Sequence, residues 1–451
     1  MVRIPFSALA LLTIAIPVGA QGIRVPATVD TLANGLRVIV HEDASAPIVT
    51  VNAWYHTGSG SEKPGRTGFA HLFEHLMFMG SEHAPYPMFD RALEAAGANN
   101  NGSTTEDRTN YYESGPVNAL PLMLWLEADR MGWLLPTMDE QKVDAQRDIV
   151  KNERRQSYEN QPYGMVGDVM PQLMYPAPHP YSWTVIGSMA DLSAASLQDV
   201  KDFFTSYYAP NNAVITVAGA VKRDSVLAMM RHYFSAIPRG PAIVRPEPSQ
   251  PRFTADTMVT LEDRVQLAQL HYNWPTTRAW GDDDAALQVA AYLLTGAKNS
   301  RLTQRLVYQD QSAVFVRAGA DHRKLAGEYG IVARARPGKA LPELQRAIDD
   351  ELRKFAEGGP TDREMQQAKN SIEASFLRGI ETVGGKADQL NQYYYEIGIP
   401  DGFQRDLDRF RNVSAADVQR VVRQYLTGPR AIVSVVPQGK RELAATPRIT
   451  P

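Results

Sequence analysis

The 451-residue chain contains no cysteine. That excludes a disulfide framework, a lipid-modified cysteine and any thiolate metal ligand, so a metal ion would have to be held by His, Asp or Glu. Charge of neither sign dominates. Forty-seven Lys and Arg against 50 Asp and Glu leave a formal net charge of −3, which gives no electrostatic reason to expect nucleic acid or an anionic membrane as partner. Beyond the N-terminus no stretch approaches the ~18 uninterrupted apolar residues that cross a bilayer, so no membrane span is expected in the mature chain. The length allows two to three domains, each with its own core.

What is present begins with a single positive charge at Arg3, an apolar stretch from Phe6 to Ile16, and Val18 and Ala20 at the spacing of a small-residue cleavage site. This is the pattern of a secretory signal peptide over residues 1–20, cut after Ala20, and it implies a periplasmic or secreted location. Near the middle, "PRGPAIVRPEPSQP" from Pro238 to Pro251 holds five prolines and excludes regular helix. Residues 238–252 therefore read as a linker between a first domain over 21–237 and a second over 253–451.

The two halves look alike. Each opens on strand-like alternation, "LRVIVHEDASAPIVTVNAWYH" in the first and "TMVTLEDRVQLAQLHYNW" in the second. Each continues into an amphipathic helix ending in glycine, at Gly80 and Gly296, and closes on a Tyr-rich helix end and a strand. Aligned on those glycines, "HLFEHLMFMG" falls on "LQVAAYLLTG", which sets His71, Glu74 and His75 opposite Leu287, Ala290 and Ala291. A shared Lys-Asn lays "RDIVKNERRQ" on "EMQQAKNSIE", with Glu153 opposite Ser371. The second half keeps the hydrophobic frame and lacks all four polar outliers. A fold that stands without them leaves them for chemistry.

On a helix, residues four apart lie on one face, so His71 and His75 point the same way with Glu74 beside them. Two imidazoles at this spacing can share a divalent ion, for which zinc is the usual choice with nitrogen and carboxylate ligands, and H-x-x-E-H is the inverzincin pattern. Glu74 would then neighbour a water rather than bind the metal, as a general base. A third ligand must come from elsewhere. Glu153 lies 78 residues after His75 on the charged, helical stretch "MDEQKVDAQRDIVKNERRQSYEN". Glu159 and Glu127 are alternatives that position alone leaves open.

With "GANNNGSTTEDRTNYYE" from Gly97, "HPYSWTVIGS" from His179 and "YYAPNNAVITVAG" from Tyr207, these pieces resemble the pitrilysin/insulinase family of zinc peptidases, which includes the mitochondrial processing peptidase. The likeness covers essentially the whole mature chain. It implies an α+β fold of two homologous domains, each a mainly antiparallel sheet packed with helices. It also implies Zn2+ on His71, His75 and Glu153, with Glu74 as general base. Asn101, Gly102 and Ser103 are then placed on a strand edge where an extended peptide substrate adds as a further strand.

Two departures from the family pattern stand out. Many members carry a second Glu seven residues before the third ligand, and here Gln146 stands there; an amide can orient a neighbour but supplies no charge. Active members also have an Arg and a Tyr seven residues apart in the weaker domain. This chain reads "NSRLTQRLVYQDQSAVFV", with Val307 at the Arg position and Val314 or Phe315 at the Tyr position. Arg301, Arg305 and Tyr308 are near but out of place. In the family, metal-bearing subunits pair with a paralogue that lacks the metal site, so a hetero-oligomer whose other subunit carries the Arg/Tyr pair is expected. The leading expectation is a secreted zinc endopeptidase acting on short or unfolded peptides in a chamber closed by the two halves. A non-catalytic subunit of a larger assembly is the rival, and a metal hydrolase with a non-peptide substrate a weaker third. The "SEKPG" and "GRTGF" segments read simply as turns.

Overall fold

The computed structural model describes residues 22–447; the signal-peptide reading of residues 1–20 lies outside the described residues. Six strands form a first sheet: β1 (Thr28–Thr31), β2 (Arg37–Glu42), β3 (Ile48–Tyr55), β4 (Asn99–Thr104), β5 (Thr109–Pro116) and β6 (Ala213–Gly219), in the order β1-β2-β6-β3-β5-β4. Five form a second: β7 (Thr257–Asp263), β8 (Gln269–Thr276), β9 (Ala313–His322), β10 (Gly327–Ala335) and β11 (Ala431–Pro437), in the order β7-β11-β8-β10-β9. Apart from β1, the second sheet repeats the path of the first. β2 runs parallel to β6 as β7 does to β11, and the remaining pairs are antiparallel. The fold is α+β, with two mainly antiparallel mixed sheets packed with helices.

The helices repeat too. After β5 come Leu120–Trp133, Glu140–Arg154 and Val166–Met174; after β10 come Leu341–Gly358, Asp362–Gly379 and Val383–Ile397. In each half the third of these helices leaves its own sheet and covers the other half's. Val166, Met170 and Met174 pack with Val433 and Val435 of β11, while Leu390 and Tyr393 pack with Ile39 of β2 and Val214 of β6. This exchange explains why seven of the eight residues of β3 and all seven of β6 are buried: a strand covered on both faces has no solvent side on which to alternate.

The two faces of the first sheet nevertheless differ in chemistry. Val49, Val51, Ala53 and Tyr55 of β3 share an apolar core with Leu72, Phe73 and Leu76. The alternate residues face the helix Val383–Ile397 through buried polar bonds. Thr216 Oγ1 donates to Asn391 Oδ1 at 2.7 Å, Asn391 Nδ2 donates to the Asn52 carbonyl at 3.0 Å, and Asn52 Nδ2 donates to Asp388 Oδ1 at 3.1 Å. Directional bonds in a low-dielectric interface specify one docking register. The chamber expected between the halves is thus replaced by packed interface, because each sheet face that meets the other half is filled by that half's helix. Residues 238–252 form neither helix nor strand, as their prolines require.

One buried charge holds the first half's interior. Arg130, 1% exposed, pairs with Glu113 and Glu127, both 0% exposed, and its guanidinium lies 4.4 Å from the Tyr111 ring and 4.6 Å from that of Phe89. Burial pushes the Glu113 carboxyl up and Arg130 opposes it. Removing the cation leaves two carboxylates unpaired in the core. Arg130→Ala is expected to lower unfolding stability by about 3–5 kcal/mol, read from denaturant titration.

Candidate metal centre

The helix Phe69–Leu76 is held by its apolar side. Phe69, Ala70, Leu72, Phe73 and Leu76 are buried, and each of the larger side chains contributes about 1.5–3 kcal/mol. His71, Glu74 and His75 fall on the opposite arc and keep partial exposure. The start of the helix is clamped from several directions. Glu62, buried, accepts from the Gly68 amide at 3.0 Å and the Ala70 amide at 2.7 Å, using the donors that a helix N-terminus leaves free. Thr67 donates to Asp191 Oδ2 through its amide at 3.0 Å and its hydroxyl at 2.6 Å. Gly68 and Gly187 pass backbone to backbone: both have positive φ, and a Cβ on Gly187 would fall 2.4 Å from the Gly68 nitrogen. The segments read as plain turns, "SEKPG" and "GRTGF", therefore fix the helix that carries the histidines.

Glu153 comes from the last turn of the helix Glu140–Arg154, which packs beside Phe69–Leu76. Its Oε2 lies 3.8 Å from His71 Nε2 and 3.5 Å from His75 Nε2, and one ligand atom from each of the three residues falls within 4.8 Å of the others. Tetrahedral zinc, about 2.0–2.1 Å from each N or O ligand, sets those ligands about 3.4 Å apart. The triad fits that geometry and that donor set. Burial, assisted by His75, lowers the His71 pKa to about 4, so the ring is neutral at neutral pH and its lone pair is free to coordinate. Neither alternative carboxylate joins the group: Glu127 is taken up by Arg130, and Glu159 faces Arg154 at 3.7 Å. The Gln146 amide donates to Met79 Sδ at 3.0 Å.

Glu74 stands next to the triad under strand β4. Thr104 Oγ1 donates to Glu74 Oε2 at 2.5 Å, and burial raises the Glu74 pKa while this bond and the nearby His75 and Arg108 oppose the rise. A Cβ added at Gly102 would come 3.2 Å from Glu74 Cγ and 3.3 Å from Oε1, so the strand passes directly over this carboxylate. β4 is the last strand of its sheet, paired only with β5. Asn101, Gly102 and Ser103 all lie on it. Asn101 Oδ1 accepts from the Gly102 amide at 2.8 Å, and Ser103 Oγ donates to Asn110 Oδ1 at 2.6 Å. Gly102 and Thr104 face Glu74, on the side of the sheet opposite the helix Val383–Ile397.

In the second half the corresponding helix Asp284–Ala291 buries Leu287, Ala290 and Ala291. Val314 is exposed on β9, Phe315 lies under the Arg334 guanidinium at 4.9 Å, Arg301 is paired with Glu364 and Arg305 with Asp310. These arginines are engaged within their own half.

Known proteins match this chain over most of its length. Residues 37–176 match the model described as Insulinase (Peptidase family M16), and residues 194–372 match the Peptidase M16 inactive domain. The chain belongs to the M16 peptidase family. Zinc protease PqqE of Helicobacter pylori is 29% identical over 401 residues, covering 88% of this chain and 89% of that protein. A probable mitochondrial-processing peptidase subunit beta from Arabidopsis thaliana is 25% identical over 422 residues, covering 90% of this chain and 78% of that protein. The crystal structure of a protease from Helicobacter pylori superposes with a TM-score of 0.87 at 26% identity, covering 92% of this chain and all of that one. Among the described residues no helix is long and apolar enough to cross a membrane.

For this M16 chain, metal analysis after dialysis is expected to give about one zinc per chain, lost on His71→Ala, His75→Ala or Glu153→Gln. Glu159→Gln, whose carboxylate faces Arg154 instead, is expected to keep the metal.

Proposed function

We propose that the chain is a secreted zinc-dependent endopeptidase for short or unfolded peptides, completed by a partner subunit that supplies the Arg/Tyr pair. The observation that carries this reading is the convergence of His71, His75, Glu153 and Glu74 beneath the unpaired edge of β4. His71, His75 and Glu153 would hold the zinc ion, which when bound would supply Lewis acidity to activate a water. An extended peptide pairs with the outer edge of β4 through main-chain hydrogen bonds, which tolerates many sequences and lays one carbonyl over the metal ligands. Glu74, with Oε2 held by Thr104, takes the attacking water's proton on its other oxygen and delivers it to the leaving amine.

The partner subunit is argued from position. The metal ligands lie on the face of the first sheet turned away from the helix Val383–Ile397, and Val307 and Val314 offer no donor for developing charge at the scissile carbonyl. One missing donor of that kind costs on the order of a hundredfold or more in rate. One relative is named as a subunit, and the same absence favours the second reading, a non-catalytic subunit of an assembly.

A quenched peptide library, assayed on the mature chain alone and with a paralogous subunit, separates the two readings. Glu74→Gln is expected to keep zinc and lose about 10²–10⁴-fold in kcat/KM; absence of cleavage by zinc-loaded wild type in both settings would sink the peptidase reading. The pH profile carries a further expectation. The base must be deprotonated and burial raises its pKa, so activity falls on acidification with an apparent pKa above the ordinary carboxylate value of about 4.3.

A further inference from the structure

A cavity of about 490 Å³ opens at the seam where the first half, the proline-rich segment and the second half meet. Arg37 from the start of β2, Arg245 from the proline-rich segment, Arg278 from the chain after β8 and Lys324 from the β9–β10 turn all line it. Among the described residues, Arg37, Arg245 and Arg278 have no carboxylate oxygen within the 4.0 Å of an ion pair. Arg245 spends its bonds on neutral acceptors, the His56 carbonyl at 2.7 Å and Asn212 Oδ1. Arg37 is half-buried and Arg245 and Arg278 are exposed; three cationic side chains around one cavity, none of them in an ion pair, raise its positive potential, which favours an anion there.

Aromatic groups complete the wall. His56 lines the same cavity at 8% exposure, and its buried Nε2 has no hydrogen-bond partner. The Tyr395 ring lies 4.5 Å from the His56 ring and 4.6 Å from Lys324 Nζ, giving the cavity an apolar wall as well as a charged one. Burial first, and then Arg245, Arg37 and Lys324, lower the pKa of His56 to about 3. Most of the nearby acids are engaged elsewhere: Glu106 is taken by Arg323 at 2.7 Å, Asp107 accepts from Tyr181 and from the Lys324 amide, and Glu396 lies 3.9 Å from Lys324 Nζ, while Glu247 is exposed like Arg245 and Arg278.

We propose that this cavity binds a small oxyanion, a carboxylate or a phosphate, gripped by Arg37, Arg245 and Arg278. Nothing in the metal site's chemistry calls for it. The cavity is bounded by the Glu106–Asp107 tip of the β4–β5 hairpin, and its occupant joins all three segments of the chain.

The test is the thermal unfolding midpoint of the full mature chain in inorganic phosphate, and in N-acetyl-tyrosine against its amide, with sodium chloride at matched ionic strength as reference. A saturable rise of about 2 °C or more is expected with an oxyanion, absent in Arg278→Gln and in Arg37→Gln. A response to phosphate alone assigns a phosphoryl ligand. A response to the free acid but not the amide assigns a carboxylate. No rise beyond chloride for any of them overturns the site, and so does a rise that survives in both variants, since the anion then sits elsewhere, the metal centre included.

Discussion

The feature on which everything else rests is a short helix with two allegiances. Five apolar side chains tie Phe69–Leu76 to the core of the first half, and that burial leaves one arc on which two imidazoles and a carboxylate can stand out of the interior. The helix has eight residues, too few to be stable alone. Its position comes from the packing underneath and from the groups that satisfy its free amides. Glu62 does the latter at the N-terminus, while the Gly68–Gly187 crossing lets the "TVIGS" segment reach the helix start. A metal site needs its ligands held to a few tenths of an ångström, and here that precision is inherited from an apolar core.

Duplication accounts for the architecture around it. Each half sends the third helix after its long hairpin across to the other sheet, so neither half can cover its own sheet unaided. The contact is reciprocal and partly polar, which ties the halves in one register. It also consumes the face where a chamber between them would lie, and leaves the metal ligands on the outer face of the first sheet. In the proposed function, a substrate would approach from outside this chain, beside the edge strand β4, and a second subunit would supply the wall facing the site.

The second half shows what the fold requires and what the chemistry adds. Leu287, Ala290 and Ala291 fill a buried helix where His71, Glu74 and His75 stand in the first half. The frame was legible because hydrophobic periodicity is local, and the alignment on Gly80 and Gly296 matched helices that follow equivalent strands. The polar triad Arg130, Glu113 and Glu127 was not legible. Glu127 read as a spare candidate ligand, and only its enclosure beside Arg130 and three aromatic rings shows it to be a structural charge.

By itself, the order of residues determined whatever depends on near neighbours. The absence of cysteine restricted the donors. The i, i+4 histidines had to share a helix face, because 3.6 residues make a turn, and five prolines had to break the chain between two similar halves. Spacing left open which distant carboxylate meets the histidines; the family resemblance pointed to Glu153, and tertiary packing is what brings it there. Glu153, Glu127 and Glu159 are chemically equal in the sequence, and the packing of two helices brings one of them to 3.5 Å of His75. It also decided that Thr104 restrains Glu74 and that Glu62 caps the metal helix. Such contacts join residues with no shared period or motif, and a side chain's partner across space is set by the whole packed core.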